Sequence, residues 1–188
     1  MTATNIVIIG ASVRDGRVGH RIVEWAADRA RAHPGRPTVE VIDPASCALP
    51  AESSLEPGGG PRSGVADLID RADGFVLVTP EYNHSYPAAL KRLIDAHYTE
   101  WMFKAATVVS YGVQGGLLAT EHLRGVLAEL HVVTTRRVVG LRCPWEDLDD
   151  TGYRPDDRTG RAADAALHEL LWWADTLHDA RRDRPFVA

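Results

Sequence analysis

The sequence has little cysteine and no long apolar segment. Its two cysteines, Cys47 and Cys143, lie far apart and show neither a disulfide framework nor the spacing of metal ligands. No apolar run approaches the roughly 18 residues that a membrane span needs, and the N-terminus lacks a basic segment followed by an apolar one. We therefore expect a cytoplasmic protein with no signal peptide, no membrane anchor and no bound metal.

The chain also lacks the positive charge that a nucleic-acid-binding protein usually carries. Its 21 Lys and Arg residues are outnumbered by 26 Asp and Glu residues, which gives a formal net charge of −5, so we expect no nucleic acid as partner. The remaining composition, 45% hydrophobic and 25% charged in 188 residues, is that of an ordinary globular protein. Because no internal repeat or second domain is visible, the sequence predicts a single domain over residues 1–188.

Two common nucleotide-binding signatures are missing. The dinucleotide fingerprint G-x-G-x-x-G has no counterpart, because no second glycine follows Gly10 at the required spacing. The triphosphate loop G-x-x-x-x-G-K-[ST] is absent as well, since five residues separate Gly10 from Gly16 and the next residues are Arg17 and Val18. A standard NAD-binding fold and a nucleoside triphosphatase are therefore not favoured.

A short apolar run, a polar loop and a helical pattern stand near the N-terminus. Ile6–Ile9 is β-branched throughout, which is typical of a strand buried on both faces in a parallel sheet. From Val18 onward, apolar residues recur at helical spacing. The loop between them offers the Ser12 hydroxyl and the guanidinium groups of Arg14 and Arg17, close to the free N–H groups and positive dipole end of a helix. This combination favours a terminal monophosphate, although a solvated turn that binds nothing explains the same residues.

The rest of the chain alternates strand and helix patterns. Apolar runs predict five strands, at Ile6–Ile9, Thr38–Asp43, Gly74–Thr79, Ala105–Tyr111 and Val132–Val139. Five helices are predicted: one that starts at Val18, one that starts at Arg158 or Thr159, and three that cover Gly64–Ala72, Ala88–Tyr98 and Leu117–Leu130. The segments Pro44–Ser63 and Gly140–Asp157 are predicted to be loops. Such alternation predicts an α/β fold, a doubly wound parallel sheet with helices on both faces. The simplest strand order with right-handed crossovers is 2-1-3-4-5.

In a sheet of this order, ligands bind at the carboxyl ends of the strands, beside the switch point between strands 1 and 3. The polar loops after strands 1, 3 and 4 all open on that edge. The loop after strand 3 carries Tyr82, which can cover an aromatic face, and Asn83, whose amide can pair with a heterocycle edge. After strand 4, Gly112, Gly115 and Gly116 allow the backbone to approach a flat ring. Each loop alone is equally explained as a simple turn, so the prediction of one shared ligand site depends on their convergence.

Three stretches in these loops carry a distinctive combination of residues. They are Gly10–Gly19 (Gly-Ala-Ser-Val-Arg-Asp-Gly-Arg-Val-Gly), Pro80–Lys91 (Pro-Glu-Tyr-Asn-His-Ser-Tyr-Pro-Ala-Ala-Leu-Lys) and Val109–Gly112 (Val-Ser-Tyr-Gly). Together they resemble the NADPH-dependent FMN reductase family, which includes azoreductases, quinone reductases and chromate reductases of flavodoxin-like fold. The resemblance extends from the first strand to about Val139.

This resemblance implies a bound FMN held by three sets of residues. The phosphate would be taken by Ser12, Arg14, Arg17, Val18 and Gly19; the isoalloxazine and ribityl groups would be lined by Pro80, Glu81, Tyr82 and Asn83; and the ring would be flanked by Ser110, Tyr111, Gly112 and Gly115. The resemblance also implies a homodimer or homotetramer with the flavin near a subunit boundary.

The implied activity is that of an FMN-dependent NAD(P)H oxidoreductase. NADPH or NADH would give a hydride to flavin N5, and an acceptor (a quinone, an azo compound, a metal oxyanion or free flavin) would then be reduced. Because the cofactor carries this chemistry, no side chain is predicted to be catalytic, and His84 is interpreted as a loop or interface residue. Two alternatives stay open: a flavodoxin-like electron carrier, and a flavin reductase that supplies reduced FMN to a partner oxygenase in a specialised pathway.

Overall fold

The computed structural model describes residues 3–186. Its strands are β1 (Asn5–Gly10), β2 (Thr38–Ile42), β3 (Gly74–Pro80), β4 (Ala105–Gly112), β5 (Val133–Thr134), β6 (Val139–Arg142), β7 (Leu148–Asp149) and β8 (Gly152–Tyr153). Its α-helices are α1 (Gly19–Ala32), α2 (Ala66–Arg71), α3 (Ala88–Asp95), α4 (Leu117–Glu129) and α5 (Asp157–Asp183). Short 3₁₀ helices at Glu52–Ser54, Thr99–Trp101 and Pro144–Asp147 lie in the connections.

One parallel sheet forms the centre of the fold. In it β2, β1, β3 and β4 lie side by side in that order, and β5 and β6 share the last position beside β4. Ile8 of β1 lies opposite Val41 of β2 and Val76 of β3, and Val76 lies opposite Thr107 of β4. The predicted strand order 2-1-3-4-5 is therefore confirmed.

Helices cover both faces of the sheet, and β1 shows how the core is divided. Its residues Ile6 and Ile8 pack into the layer formed by α1 and α5, whereas Val7 and Ile9 pack into the layer of α2, α3 and α4. All four side chains are fully buried. Since successive side chains of a strand point to opposite faces, a strand covered on both sides needs apolar residues at every position, as the sequence has here.

The last position of the sheet differs from the prediction. A single strand over Val132–Val139 is wrong, because the chain leaves the sheet after β5 and returns to it as β6. The buried hydroxyl oxygens of Thr107 and Thr135 lie 2.8 Å apart, and both lie within hydrogen-bond distance of the Arg137 carbonyl oxygen. The Glu169 carboxylate of α5 accepts hydrogen bonds from the N–H of Arg137 and of the residue before it. At Arg137 and the residue before it, the backbone therefore forms its hydrogen bonds with side chains rather than with a neighbouring strand.

The connections contain more structure than the predicted loops do. In the Pro44–Ser63 connection, the Pro50 carbonyl accepts a hydrogen bond of 3.1 Å from Arg92 of α3. The predicted loop Gly140–Asp157 is wrong in part, because β6 extends into it and β7 and β8 pair as an antiparallel hairpin. Two predicted helices are shortened, since α2 begins two residues after Gly64 and α3 ends before its Tyr98 limit.

The closing helix, α5, spans 27 residues and covers one face of the sheet. The Asp156 side chain caps its N-terminus by accepting a hydrogen bond of 2.8 Å from the Thr159 N–H. Leu167, Leu170 and Ala174 are buried against the sheet. Within residues 3–186, neither α5 nor any other helix is long and apolar enough to cross a membrane.

A buried ionic cluster lies at the amino ends of the strands, opposite the predicted site. Asp73, which precedes β3, accepts a hydrogen bond of 2.9 Å from Arg181 of α5. Lys104, which precedes β4 and is 4% exposed, donates to two carbonyl oxygens at the end of α2 at 2.7 and 2.6 Å. Burial lowers the pKa of Lys104 to about 8, and the Arg181 charge acts in the same direction. These contacts join α2 and α5 to the strands at this edge.

Candidate functional site

Three loops leave the carboxyl ends of β1, β3 and β4. Residues 11–18 form the first loop, 81–87 the second and 113–116 the third. The hydroxyl oxygens of Ser12 and Tyr82 lie 2.9 Å apart, and the guanidinium carbon of Arg14 lies 3.6 Å from the centre of the Tyr82 ring. The first and second loops are therefore in direct contact.

The second loop contains a tight turn with an exposed tip. Tyr82 and Ser85 exchange two backbone hydrogen bonds of 2.7 and 3.0 Å, and the residues between them, Asn83 and His84, have φ angles of 50° and 65°. Positive φ at both central residues defines a type I′ turn, a conformation that Asn and His tolerate better than most side chains. The Ser85 hydroxyl lies 3.0 Å from His122 of α4, so the turn is also attached to the helix behind it.

Glu81 connects the second loop to the third. Its backbone N–H donates to the Tyr111 carbonyl oxygen at 2.9 Å, and its carboxylate accepts hydrogen bonds from the N–H groups of Leu118 (3.0 Å) and Ala119 (3.4 Å). These N–H groups belong to the first turn of α4, where no partner within the helix is available. The Glu81 carboxylate thus occupies the N-terminus of α4.

The third loop requires glycine for steric reasons. Gly115 and Gly116 have φ angles of 83° and 73°, and a Cβ atom on Gly116 would lie 2.8 Å from both Ser110 Cβ and the Tyr111 nitrogen. The Ser110 hydroxyl is buried and donates to the Gly115 carbonyl oxygen at 2.8 Å. The loop therefore folds back tightly onto the end of β4.

The first loop leads into α1, whose N-terminus is suited to an anion. Val18 stands at the N-cap and has no polar side chain, and the first turn of α1 carries no acidic residue. Arg17 forms an ion pair with Asp43 at the end of β2, and a cavity of about 150 Å³ lies between these residues and Gly10. The backbone N–H groups and the Arg14 guanidinium of this loop are available for a phosphate, and Arg17, already paired with Asp43, lies beside them.

Most of the predicted site residues lie at this edge of the sheet, but some of their side chains bind other parts of the protein. The Ser110 hydroxyl and the Glu81 carboxylate already have backbone partners. The Tyr111 side chain is 6% exposed, packs in the α1 and α5 layer, and lies directly beneath Gly19. Burial, and then the neighbouring Tyr82, raise the pKa of Tyr111 above its ordinary value. Because these three side chains already have partners within the protein, only the backbone atoms of the three residues are left to contact a ligand.

Sequence reasoning missed two residues next to the site. Asp43 directly follows β2, and because β2 lies beside β1, the strand order could have placed it against the first loop. Cys143 directly follows β6 with a φ angle of 47°, and its N–H donates to the Gly112 carbonyl oxygen at 2.9 Å. No signal for Cys143 was available, because its position depends on the interrupted last strand.

A wider cleft of about 850 Å³ lies between α1, α5 and the β7–β8 hairpin. Trp25 and Tyr153 meet edge to face within it, and the Arg29 guanidinium is bound by the Asp164 carboxylate. This cleft runs along the flanks of the two helices rather than at the strand ends, and its opposite charges compensate one another. The volume of the cleft alone therefore does not make it the candidate site, and the three polar loops are the stronger candidate.

A family model described as NADPH-dependent FMN reductase matches residues 4–146. The chain belongs to this family. A relative from Schizosaccharomyces pombe, an NAD(P)H-dependent FMN reductase, is 33% identical over 156 residues, which cover 76% of this chain and 75% of the relative. A quinone reductase of Escherichia coli strain K12 is 37% identical over 79 residues, 39% of this chain and 42% of the relative.

Solved structures agree with the fold. FerB, a flavoenzyme NAD(P)H:(acceptor) oxidoreductase from Paracoccus denitrificans, superposes with a TM-score of 0.73 at 23% identity, covering 93% of this chain and 98% of its own. The apo form of the NADH:FMN oxidoreductase EMOB gives a TM-score of 0.69 at 19% identity, covering 93% of this chain and 90% of its own. Family membership makes the chain a flavin-dependent NAD(P)H oxidoreductase with FMN as cofactor, and the open N-terminus of α1 beside two arginines fits the single phosphate of FMN.

Proposed function

We propose that the three loops form the FMN site and that the chain reduces a quinone or free flavin with NAD(P)H. The direct contact of Ser12 and Arg14 with Tyr82 carries the placement, since it joins the loop suited to a phosphate with the loop suited to a ring. Bound FMN would supply the redox chemistry, in which a hydride from NAD(P)H provides the two electrons that the acceptor takes up together with protons. The protein needs to bind and orient the partners, which explains why no nucleophile–base pair is required.

In this proposal each loop has a distinct task. The phosphate lies against Ser12, Arg14, Arg17, Val18 and Gly19. The second loop, with Pro80, Glu81, Tyr82 and Asn83, borders the ribityl and isoalloxazine groups, and Ser110, Tyr111, Gly112 and Gly115 border the ring from the β4 side. Backbone N–H groups of such loops can stabilise negative charge that develops on a bound ring.

The rim of the site supports an aromatic, apolar acceptor. Val113, Leu117 and Trp145 are 63%, 56% and 45% exposed, and they belong to the third loop, the start of α4 and the segment after β6. The Cys143 N–H to Gly112 hydrogen bond holds that last segment beside the third loop. Relatives named quinone reductase and 2-hydroxy-1,4-benzoquinone reductase point to the same class of acceptor. Azo compounds and metal oxyanions are the other acceptors to compare.

We also propose that the chain forms a homodimer or homotetramer through this rim, because exposed apolar patches commonly mark interfaces. Leu117→Asp is then expected to lower the molar mass measured by light scattering. If the rim serves only the acceptor, the same variant raises KM for a quinone and leaves the mass unchanged.

The decisive test is a titration of the flavin-free protein with FMN, followed by anaerobic addition of NADPH or NADH. We expect saturable binding of one FMN per chain, bleaching of the flavin absorption by NAD(P)H, and its return on addition of benzoquinone. A protein that binds FMN but is not bleached by either nicotinamide is an electron carrier rather than a reductase. Failure to bind FMN at all refutes the site.

A further inference from the structure

We propose that Glu81 is a positioning residue: its carboxylate holds the second loop against the N-terminus of α4 and thereby fixes the distance between the second and third loops. This inference rests on the proposed placement of FMN between these loops. It gives the Glu81 side chain a task of its own, in addition to the lining of the isoalloxazine and ribityl groups that the family resemblance implies for this residue.

The N-terminus of α4 needs an acceptor that its own sequence does not provide. Gly116 stands at its N-cap without a side chain, and the first turn carries no acidic residue. A helix of 13 residues presents unpaired N–H groups and a positive dipole end there. The Glu81 carboxylate meets both needs, because one oxygen accepts from Leu118 and from Ala119. A negatively charged acceptor at this position forms stronger hydrogen bonds than a neutral one.

Glu81 is held on the strand side as well. Its N–H bonds to the Tyr111 carbonyl oxygen, and its Cβ lies 3.6 Å from the position of a Cβ on Gly112. The side chain therefore extends from the end of β3, past the end of β4, to α4. The next residue, Tyr82, extends in the other direction to Ser12. Consecutive residues of the second loop thus connect it to the third and to the first loop.

Because the Glu81 carboxylate occupies the N-terminus of α4, the N-terminus of α1 is the one left open to an anion. The α1 N-terminus has no acidic residue in its first turn, whereas Glu81 fills the corresponding position of α4. A phosphate that approaches this edge is therefore repelled from α4 and attracted to α1. Removal of the Glu81 carboxylate frees the second loop from α4. It also leaves the positive N-terminus of α4 open to a phosphate, in competition with the N-terminus of α1.

The chain offers a matched control in Glu169. Its carboxylate likewise accepts from two consecutive backbone N–H groups, those of Arg136 (2.7 Å) and Arg137 (3.3 Å). These groups lie in the bulge between β5 and β6, which contributes no residue to the three loops. The Glu169 carboxylate also accepts from the Arg137 guanidinium at 3.1 Å. Glu169→Ala therefore removes two backbone hydrogen bonds and an ion pair at a place that the proposal does not involve, which makes it a stringent control.

The experiment compares Glu81→Ala, Glu81→Gln and Glu169→Ala by FMN titration and by thermal unfolding of the flavin-free proteins. We expect Glu81→Ala to weaken FMN binding about tenfold, Glu81→Gln to stay within about threefold of wild type because its amide oxygen still accepts, and Glu169→Ala to lower the melting temperature without changing FMN affinity. Wild-type FMN affinity in Glu81→Ala, or an equal loss in Glu169→Ala, overturns the positioning role. If the wild type itself binds no FMN, the proposed site fails instead, so the two failures are distinguishable.

Discussion

Arg14→Gln tests the proposed phosphate position most directly. The Arg14 guanidinium carbon lies 3.6 Å from the centre of the Tyr82 ring, an exposed contact of about 0.5–1 kcal/mol. A charged hydrogen bond from the same group to a phosphate is worth about 1.5–3 kcal/mol. Since binding exchanges the first contact for the second, the variant should lose about 1–2 kcal/mol of FMN binding, or about 5- to 30-fold in Kd.

The assay compares FMN with riboflavin, which carries the same ring and ribityl chain without the phosphate. We expect the affinity for FMN to fall and that for riboflavin to stay close to wild type. Arg31→Gln serves as the control, because Arg31 lies in the last turn of α1 and pairs with Asp28 at 3.0 Å, at the end of the helix far from the loops. A parallel loss of riboflavin affinity would show that Arg14 supports the ring or the loop structure, and an unchanged FMN affinity would place the phosphate elsewhere.

Two further predictions concern the scaffold. In a urea titration, Gly116→Ala should lower the free energy of unfolding by about 2 kcal/mol or more, because its φ of 73° and a Cβ contact of 2.8 Å are both unfavourable. Gly125 lies inside α4 with no atom near its Cβ position, so Gly125→Ala should leave the free energy of unfolding unchanged or raise it slightly. Because burial lowers the pKa of Lys104 from 10.5 to about 8, the folded protein binds fewer protons than the unfolded chain between these values. Its free energy of unfolding should therefore rise with pH in that window, by an amount on the order of 2–3 kcal/mol. Lys104→Met should lack this rise, and an identical pH dependence in the variant would contradict the argument.

The central strands could be predicted from the sequence because each one is a short run that is buried on both faces. Ile6–Ile9 and Gly74–Thr79 need no information from elsewhere in the chain, since both sheet faces are covered and every side chain is apolar or small. The last strand was predicted wrongly because its interruption depends on Thr107 and Glu169, which lie far from Thr135 in the sequence. Distant hydroxyl and carboxylate partners leave no local pattern.

The same distinction applies to the candidate site. That the first and second loops meet was predictable, because parallel strands bring their carboxyl ends to one edge. That Arg17 pairs with Asp43 also follows from the strand order, although only after β2 is placed beside β1. The direction of the Glu81 side chain was not predictable, because its partners on α4 lie 37 and 38 positions away. Motifs indicated the loops, and the structure was needed to show which side chains hold the loops together.

The helix termini at this edge argue for one orientation of the bound cofactor. The α1 and α4 helices follow the first and third loops, and Tyr111 lies against Gly19 at the start of α1 and against Gly116 at the start of α4. A negatively charged carboxylate from Glu81 lies at the α4 terminus, so a second anion there would meet like charge. At the α1 terminus, Arg14 adds positive charge instead, and the charge of Arg17 is balanced by the Asp43 carboxylate. We therefore propose that the phosphate end of FMN binds at the first loop and that its uncharged ring lies between the second and third loops.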